Sequence, residues 1–314
     1  MPNRARPAFD RSLASSGGAT RDGQPISYNR APAPDLAPWI ARLYVTDVDA
    51  PADYRLECGL FCDTAFLRVQ LRGDWAAQTA DGERQMGRAA LFFGPNARRM
   101  GIAVSGSFTS VGMALRPGTC HVLGLSRLPD HVDRLVDVDT LGQSTAEWLA
   151  LFKPGASPEE WCLAMERHMR DLIAKRRALE PDPVSTRFEA AAFTDPTTSI
   201  AALARDWAID QRRLERIVRR DFGMAPKQVL RRARALDMAS HLRGVADQDE
   251  AEALALRYYD QSHLIREFTE LFGMSPRQFV ETPQPLITLA LETRQARRLE
   301  TIDRIAPGGI RPWQ

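Results

Sequence analysis

The side chains with the clearest chemical signature are the arginines of one short segment, 210–234. This segment holds nine basic and three acidic residues, a net charge of +6, whereas the whole chain of 314 residues carries only +2. The basic residues are Arg212, Arg213, Arg216, Arg219, Arg220, Lys227, Arg231, Arg232 and Arg234. Arginine pairs with guanine edges and neutralises phosphates, so the cluster predicts contact with duplex DNA. A solvated helix face is the other explanation for such a run of charge.

The arginines also have the spacing of a helix. Arg212, Arg216 and Arg219 are three to four residues apart, which places them on one helical face. Leu214 and Ile217 fall on the opposite face, where they are expected to be buried. The segment is therefore predicted to be an amphipathic helix with a cationic face in solvent.

This pattern occurs twice, 50 residues apart. The first copy reads DQRRLERIVRRDFGMAPKQV from Asp210, and the second reads DQSHLIREFTELFGMSPRQF from Asp260. Aspartate caps helix N-termini, and Gly223 and Gly273 stand where a helix ends in the left-handed conformation. A proline three residues after each glycine suits the first turn of another helix. Each copy therefore predicts a capped helix that stops before a second one begins.

A short predicted helix precedes each copy, over 200–207 and 251–257, at the spacing of a helix-turn-helix motif. In that motif the second helix enters the major groove. The two copies differ in charge, because 260–284 holds two basic and four acidic residues, a net charge of −2. We expect the first copy to supply most of the electrostatic affinity and the second to contribute readout. His263, inside the second copy, contacts either a phosphate or an ordinary structural partner.

The segment from about 200 to 279 resembles the DNA-binding domain of AraC/XylS-type transcription regulators. The matching stretches are LARDWAIDQRRLERIVRRDFGMAP and YYDQSHLIREFTELFGMSP. The resemblance implies seven helices, with two helix-turn-helix units joined by a long central helix and both recognition helices in adjacent stretches of the major groove. The base-reading positions that it implies are Arg212, Glu215, Arg216, Gln261, Ser262, Ile265 and Arg266. Arg213, Arg219 and Lys227 flank the first set and are predicted to contact DNA with them.

Two positions depart from the family pattern. Regulators of this family usually have glycine in the turn of each helix-turn-helix unit, where this chain has Ala208 and Arg257. If the turns keep their geometry, both residues must adopt a backbone conformation that glycine adopts more easily.

The front half of the chain has a different period. Apolar and polar residues alternate over 65–72, and 89–93, 100–104 and 108–115 read likewise, which predicts an antiparallel β-barrel or sandwich. The pieces LFFGPNARR, ALRPG and LVDVDTLG resemble, more weakly, the front domain of one subgroup of these regulators. That resemblance implies a sensory or oligomerising role.

The predicted fold class is α+β with two domains. Its parts are a disordered arm (1–37), a β-rich regulatory or effector-binding domain with C-terminal helices (38–180), a linker (181–195), the double helix-turn-helix domain (196–283) and a helical C-terminal tail (284–314). Prolines signal the linker, because proline disfavours helix in the residue before it. An apolar stripe along a predicted helix over 158–179 packs either on its own domain or on a second protomer, so a homodimer is possible.

Other chemistry has little support in the sequence. There is no P-loop, no G-x-G-x-x-G and no G-x-S-x-G, and the five histidines are scattered, so we expect no enzyme activity, cofactor or metal. Cys58 and Cys62 are either buried structural thiols that meet on a helical turn or a redox or metal sensor. Arg68 or Arg116 could serve a pocket for an anionic effector.

The predicted function is that of a sequence-specific regulator of transcription that binds double-stranded DNA and responds to an unidentified small-molecule effector. RNA polymerase is an expected partner. With no long apolar run or signal-peptide core, we expect a cytoplasmic protein without a membrane anchor. The alternative is a ligand-binding or catalytic β domain whose helical partner domain docks other proteins.

Overall fold

Nine strands of the front half form one antiparallel sheet in the computed structural model, which describes residues 6–246, 261–307 and 309–314. The strands are β1 (Ala14–Ser15), β2 (Tyr28–Arg30), β3 (Ile40–Asp49), β4 (Arg55–Leu60), β5 (Phe66–Thr79), β6 (Gly82–Met86), β7 (Ala89–Phe93), β8 (Met100–Leu115) and β9 (Leu135–Asp137). Their order is β1-β3-β8-β5-β7-β9, with β2 paired to β3, β4 to β8 and β6 to β5. The predicted antiparallel β domain is confirmed.

Strand β8 is longer than the sequence predicts. The two strands expected over 100–104 and 108–115 are one strand, and Gly106, with φ of +64°, lies inside it. The two halves of β8 have different partners on one edge, since β4 pairs with the first half and β3 with the second. The glycine therefore lies near the change of partner strand and does not end β8.

Helices make up most of the rest of the described chain. They are α1 (Thr119–Val122), α2 (Thr145–Ala150), α3 (Pro158–Arg176), α4 (Pro183–Thr194), α5 (Ile200–Asp206), α6 (Gln211–Phe222), α7 (Pro226–Leu242), α8 (Gln261–Phe272), α9 (Pro276–Glu281) and α10 (Pro285–Thr301). Among the described helices, none is long and apolar enough to cross a bilayer. The predicted helix over 251–257 lies outside the described residues.

Helix α3 packs on the sheet of its own domain. Cys162, Met165 and Met169 of the apolar stripe are fully buried and belong to the same core as Val69 and Met113 of the sheet. Of the two explanations for this stripe, the one within the domain is the one observed.

The segment 6–37 is ordered, in contrast to the disordered arm that its composition predicts. Strand β2 pairs with β3, so the backbone of the segment is hydrogen-bonded, and Ile26 is buried. The guanidinium of Arg243, at the end of α7, donates to the Ala8 carbonyl at 2.6 Å and to Oε1 of Gln24 at 2.7 Å. Long-range contacts of this kind leave no periodic signal in a sequence.

The predicted linker 181–195 is also structured, as helix α4. Asp182 caps the helix by accepting from the amide of Val184, and Pro183 occupies its first turn. Phe188 and Ala192 are buried in the core of the helical domain, and the ring of buried Phe193 lies against the guanidinium groups of Arg294 and Arg297. The prolines thus mark the start of a helix and not a flexible connection, because proline is compatible with the first turn.

Helix α10 lies between the two domains. Leu286 and Leu289 belong to the core of the sheet, whereas Ile287, Leu291 and Leu299 belong to the core built by α7, α8 and α9. A helix that is buried all round connects the elements that cover it. The predicted tail helix therefore packs on both domains and not on one.

Candidate nucleic-acid interface

Helices α5 and α6 form a capped helix-turn-helix. The Ser199 hydroxyl accepts from the amide of Ala202, and the Asp210 carboxylate accepts from the amide of Arg213 at 3.0 Å. Between the helices, Ala208 has φ of +53°, so the predicted left-handed conformation at this turn is confirmed. Gly223 ends α6 with φ of +76°, as predicted for a left-handed cap.

Helix α6 has one buried and one exposed face. Leu214, Ile217 and Val218 are buried against α4, α5 and α7. The predicted DNA-binding residues of the helix are all exposed: Arg212, Arg213, Glu215, Arg216 and Arg219. Lys227, in the first turn of α7, is exposed as well. The Glu215 carboxylate accepts from Nε2 of Gln211 at 2.8 Å and remains a negative charge among the exposed arginines.

Four of the nine basic residues in 210–234 are held by protein partners. Arg220 pairs with Asp221 at 2.6 Å, and Arg232 is buried. Two more arginines of α7 pair with carboxylates of α8. They are Arg231, which pairs with Glu270, and Arg234, which pairs with Glu267 at 2.8 Å. The net charge of +6 therefore overstates the cationic surface of the first copy. Only five of the nine basic residues are exposed, and they are Arg212, Arg213, Arg216, Arg219 and Lys227.

Helix α8 has the same two-faced arrangement. Its buried face stacks Phe268 on Phe272 at 4.2 Å between ring centroids, with Phe279 of α9 edge-on to both. Ser262, Ile265 and Arg266 are exposed. Gly273 ends the helix with φ of +70°, which confirms the second predicted cap. Asp260 and Arg257 lie outside the described residues.

Ile265 is one of four large apolar side chains in the described chain that are more than a third exposed. An apolar side chain on a recognition helix suits contact with the methyl group of thymine. Its exposure therefore has a chemical use at the position that the family resemblance predicts.

The acidic side chains of α8 are neutralised from α7. Glu267 is nearly buried and pairs with Arg234, while Arg231 lies 3.4 Å from it and also pairs with Glu270. The Nδ1 atom of His263 lies 3.8 Å from Glu267, which is the ordinary structural partner considered for this histidine. The surface of α8 is consequently less negative than the net charge of −2 over 260–284 suggests.

The loop between β7 and β8 contacts both recognition units on the sheet side. The amide of Arg99 donates to the Leu271 carbonyl at 2.8 Å, at the end of α8. Arg232 donates to the Asn96 carbonyl at 2.9 Å, and Pro95 lies against Gly223 at the end of α6. The C-terminal ends of α6 and α8 are therefore fixed to the front domain, whereas their N-terminal halves face solvent.

A cavity of about 650 Å³, its open mouth included, lies between the sheet and α10. Its charged lining consists of Arg68, Asp63, Arg294 and Arg297. Its apolar wall includes Leu60, Phe61, Phe66, Leu286 and Leu289.

Asp63 connects this cavity to the helical domain. Its carboxylate lies 3.2 Å from Arg294 and 3.0 Å from Arg297, and Arg294 also pairs with Asp237 of α7 at 2.6 Å. Burial alone would raise the pKa of Asp63, but Arg297 and Arg294 outweigh burial and hold the pKa below its ordinary value. A charged group that enters the cavity would meet these pairs directly.

The other candidate residues of the front domain are occupied or inert. Arg116 pairs with Glu189 of α4 at 2.6 Å. Cys58 lies in strand β4, so the predicted helical turn between Cys58 and Cys62 is wrong. Burial raises the pKa of the Cys62 thiol to about 12 and also raises that of Cys58, so both remain protonated and unreactive at neutral pH.

Comparison with known proteins supports the two recognition units. Residues 203–282 match the family model described as a helix-turn-helix domain. No curated protein sequence gives a significant match to the chain.

A search of solved structures found proteins with sequence identities of 9–13% to this chain. Apo ToxT from Vibrio cholerae strain SCE256 is 9% identical, with 76% of this chain and 96% of that chain covered and a TM-score of 0.45. ToxT of the same strain with an unsaturated fatty acid bound is 9% identical, with 76% and 94% covered and a TM-score of 0.45. The AraC-like transcriptional activator CuxR is 13% identical, with 62% and 76% covered and a TM-score of 0.29.

The matched segment 203–282 is therefore a helix-turn-helix domain.

Proposed function

We propose that the protein is a transcription regulator of the AraC type that reads one duplex site with two recognition helices, α6 and α8, and that a small molecule in the cavity beside α10 controls this binding. The observation that carries the proposal is the shared design of the two helices. Each is packed on its apolar face, is fixed at its C-terminal end, and exposes its N-terminal half. The N-terminal residues of a recognition helix are those that meet base edges.

The six residues on and next to α6 have distinct roles in this proposal. Arg212, Glu215 and Arg216 read bases, while Arg213, Arg219 and Lys227 contact phosphates. On α8, the reading residues are Gln261, Ser262, Ile265 and Arg266. Regulation of transcription makes RNA polymerase a further partner, and a homodimer would bind two such sites. We propose that the protein acts in the cytoplasm, without catalysis and without a cofactor.

The test is an electrophoretic shift with the DNA upstream of the chain's own gene, in the presence of excess competitor DNA. The full chain should give a sequence-selective shift. Loss of selectivity for every upstream fragment would leave the alternative, in which the helical domain docks proteins.

A matched pair of variants sorts the two kinds of contact. Arg216→Ala should cost about 1–3 kcal/mol and relax the preference at one base position. Arg219→Ala should weaken binding to all sequences alike and lower the salt dependence by about one phosphate contact. Arg167→Ala, an exposed arginine on α3, controls for the loss of one positive charge. If the Arg216 and Arg219 variants behave identically, the division into base and phosphate contacts is wrong.

A further inference from the structure

Arg68 is a buried cation without a counterion. Its side chain is only 6% exposed, and its Nε atom has no hydrogen-bond partner in the described part of the chain. It makes no ion pair with any described residue. Its guanidinium packs on the ring of Trp75, whose centroid lies 4.4 Å from Cζ of Arg68.

Such an arrangement is unfavourable for the folded protein. A buried charge is normally paired, and burial without a partner opposes ionisation. Burial lowers the pKa of the Arg68 guanidinium below its usual range. Because arginine stays protonated at neutral pH, the site contains a positive charge that a bound anion would neutralise.

The surroundings of Arg68 favour an anion with an apolar body. Arg68 lines the cavity beside α10, where three arginines face a single carboxylate, that of Asp63. Tyr44 places a further hydrogen-bond donor in the wall, and it fits there because Gly112 has no side chain, since a Cβ on Gly112 would lie 2.3 Å from the Tyr44 ring. The remaining wall is mostly apolar, with Phe66 and Leu289 among its members.

We infer that the cavity binds an organic monoanion, with its carboxylate-like head on Arg68 and its apolar body against Phe66, Leu286 and Leu289. A planar guanidinium matches a carboxylate with two parallel hydrogen bonds. This inference deepens the proposed function and rests on it only in treating the ligand as the effector.

The position of α10 explains how such a ligand acts on the helical domain. Arg294 and Arg297 line the same cavity, and they also pair with Asp237 of α7 and Glu189 of α4. Asp63 is already paired with both arginines, so an anion on Arg68 adds a second negative charge to the cavity that they line. Redistribution of these ion pairs alters the contacts that hold α4 and α7 in place.

The binding test is thermal unfolding of the full chain without DNA. The probes are 4-phenylbutanoate and octanoate, each at millimolar concentration and each compared with its amide and its amine. The two acids should raise the Tm by about 2–4 °C, while the uncharged amides and cationic amines should not. No rise with either acid, or an equal rise with the amides, overturns the inference.

Two variants make the test specific to Arg68. Arg68→Met keeps the packing of the stem but removes the charge, so the response to the acids should be lost. Without ligand, its Tm should equal or exceed that of the wild type, because an unpaired buried charge has been removed. Arg72→Met, on the same strand but half-exposed and paired with Asp47, should keep the full response. A retained response in Arg68→Met, or a clear fall in its ligand-free Tm, overturns the inference.

A DNA arm separates this inference from the proposed function. The Arg68→Met variant should shift upstream DNA as the wild type does. Addition of the acids should change the shift given by the wild type but not the shift given by the variant. If neither protein shifts DNA while the wild type alone binds the acids, the ligand site stands and the DNA assignment falls.

Discussion

The two recognition helices share a register and a buried face but differ in what surrounds them. Helix α6 exposes Arg212, Arg213, Arg216 and Arg219, whereas among the described residues of α8 the basic side chains are Arg266 and the histidine His263. The carboxylates of α8 are paired with arginines that stand in the first half of the repeat. Two arginines of the first segment, Arg231 and Arg234, therefore neutralise carboxylates of the second.

This exchange changes the meaning of the charge asymmetry. Counted along the sequence, segment 210–234 carries a net charge of +6 and segment 260–284 a net charge of −2. In the folded protein, Arg231 and Arg234 of α7 pair with carboxylates of α8. The difference in surface charge between the two units is therefore smaller. The first helix still has the larger exposed cationic face, and the predictions below test how large its advantage is.

The largest effect is expected from disabling the helices in turn. Arg212→Ala with Arg216→Ala should weaken binding to the cognate duplex by about 3 kcal/mol or more, since each bidentate pair is worth about 1–3 kcal/mol. Ser262→Ala with Arg266→Ala should cost about 1–2 kcal/mol, because only one charged contact is lost. Titrations of both double variants at one salt concentration measure the difference. Equal losses would show that the two helices contribute alike.

The next effect concerns the carboxylate that links the two units. Glu267→Gln should lower the free energy of unfolding by about 2 kcal/mol, because it leaves Arg231 and Arg234 without their shared, nearly buried partner. The arginines are partly exposed, so the loss should fall below the full cost of breaking a buried pair. Chemical denaturation measures it.

Glu270→Gln is the matched control for that variant. Its carboxylate also pairs with Arg231 but is 68% exposed, so it should cost less than about 1 kcal/mol. If the two variants lose the same stability, Glu267 is not the residue that joins α7 to α8.

The N-terminal cap of α6 gives a smaller effect. Asp210→Ala removes the acceptor for the amide of Arg213 and should destabilise the protein by about 1 kcal/mol. Asp210→Asn keeps an acceptor and should lose little. Thermal unfolding of the two variants provides the measurement, and equal falls in Tm would mean that the charge of Asp210, not its hydrogen bond, supports the helix.

The smallest effect is a gain at the turn of the first unit. Ala208→Gly should raise the free energy of unfolding by about 0.5 kcal/mol, since the cost of the left-handed conformation exceeds the extra backbone entropy of glycine. Ala190→Gly, in the middle of α4, should instead lower it by about 1 kcal/mol. A loss at Ala208 would show that the turn is not strained by its side chain.

Local features of the interface were predictable from sequence. The caps at Asp210, Gly223 and Gly273 and the left-handed turn at Ala208 depend on residues close in the chain, and the structure confirms all four. The same holds for the buried face of α6, because helical spacing alone assigns it. The base-reading and phosphate-binding roles stay predictions.

Features that depend on distant partners were not predictable. The pairing of Arg234 with Glu267 joins residues on different helices, so a charge count along the chain misses it. The cavity was not predictable either, because Arg68 and α10 lie far apart in the sequence. Prolines around 181–183 were misleading, because the same residue that interrupts a helix also begins one.

Helix α10 also has a consequence for synthesis of the protein. Translation proceeds from the N-terminus, and domains tend to fold as they emerge. The sheet and the helices up to Glu281 therefore leave the ribosome before residues 285–301 do. Helix α10 is thus made after the elements of both cores on which it packs, so a nascent chain can contain those elements before the helix that connects them.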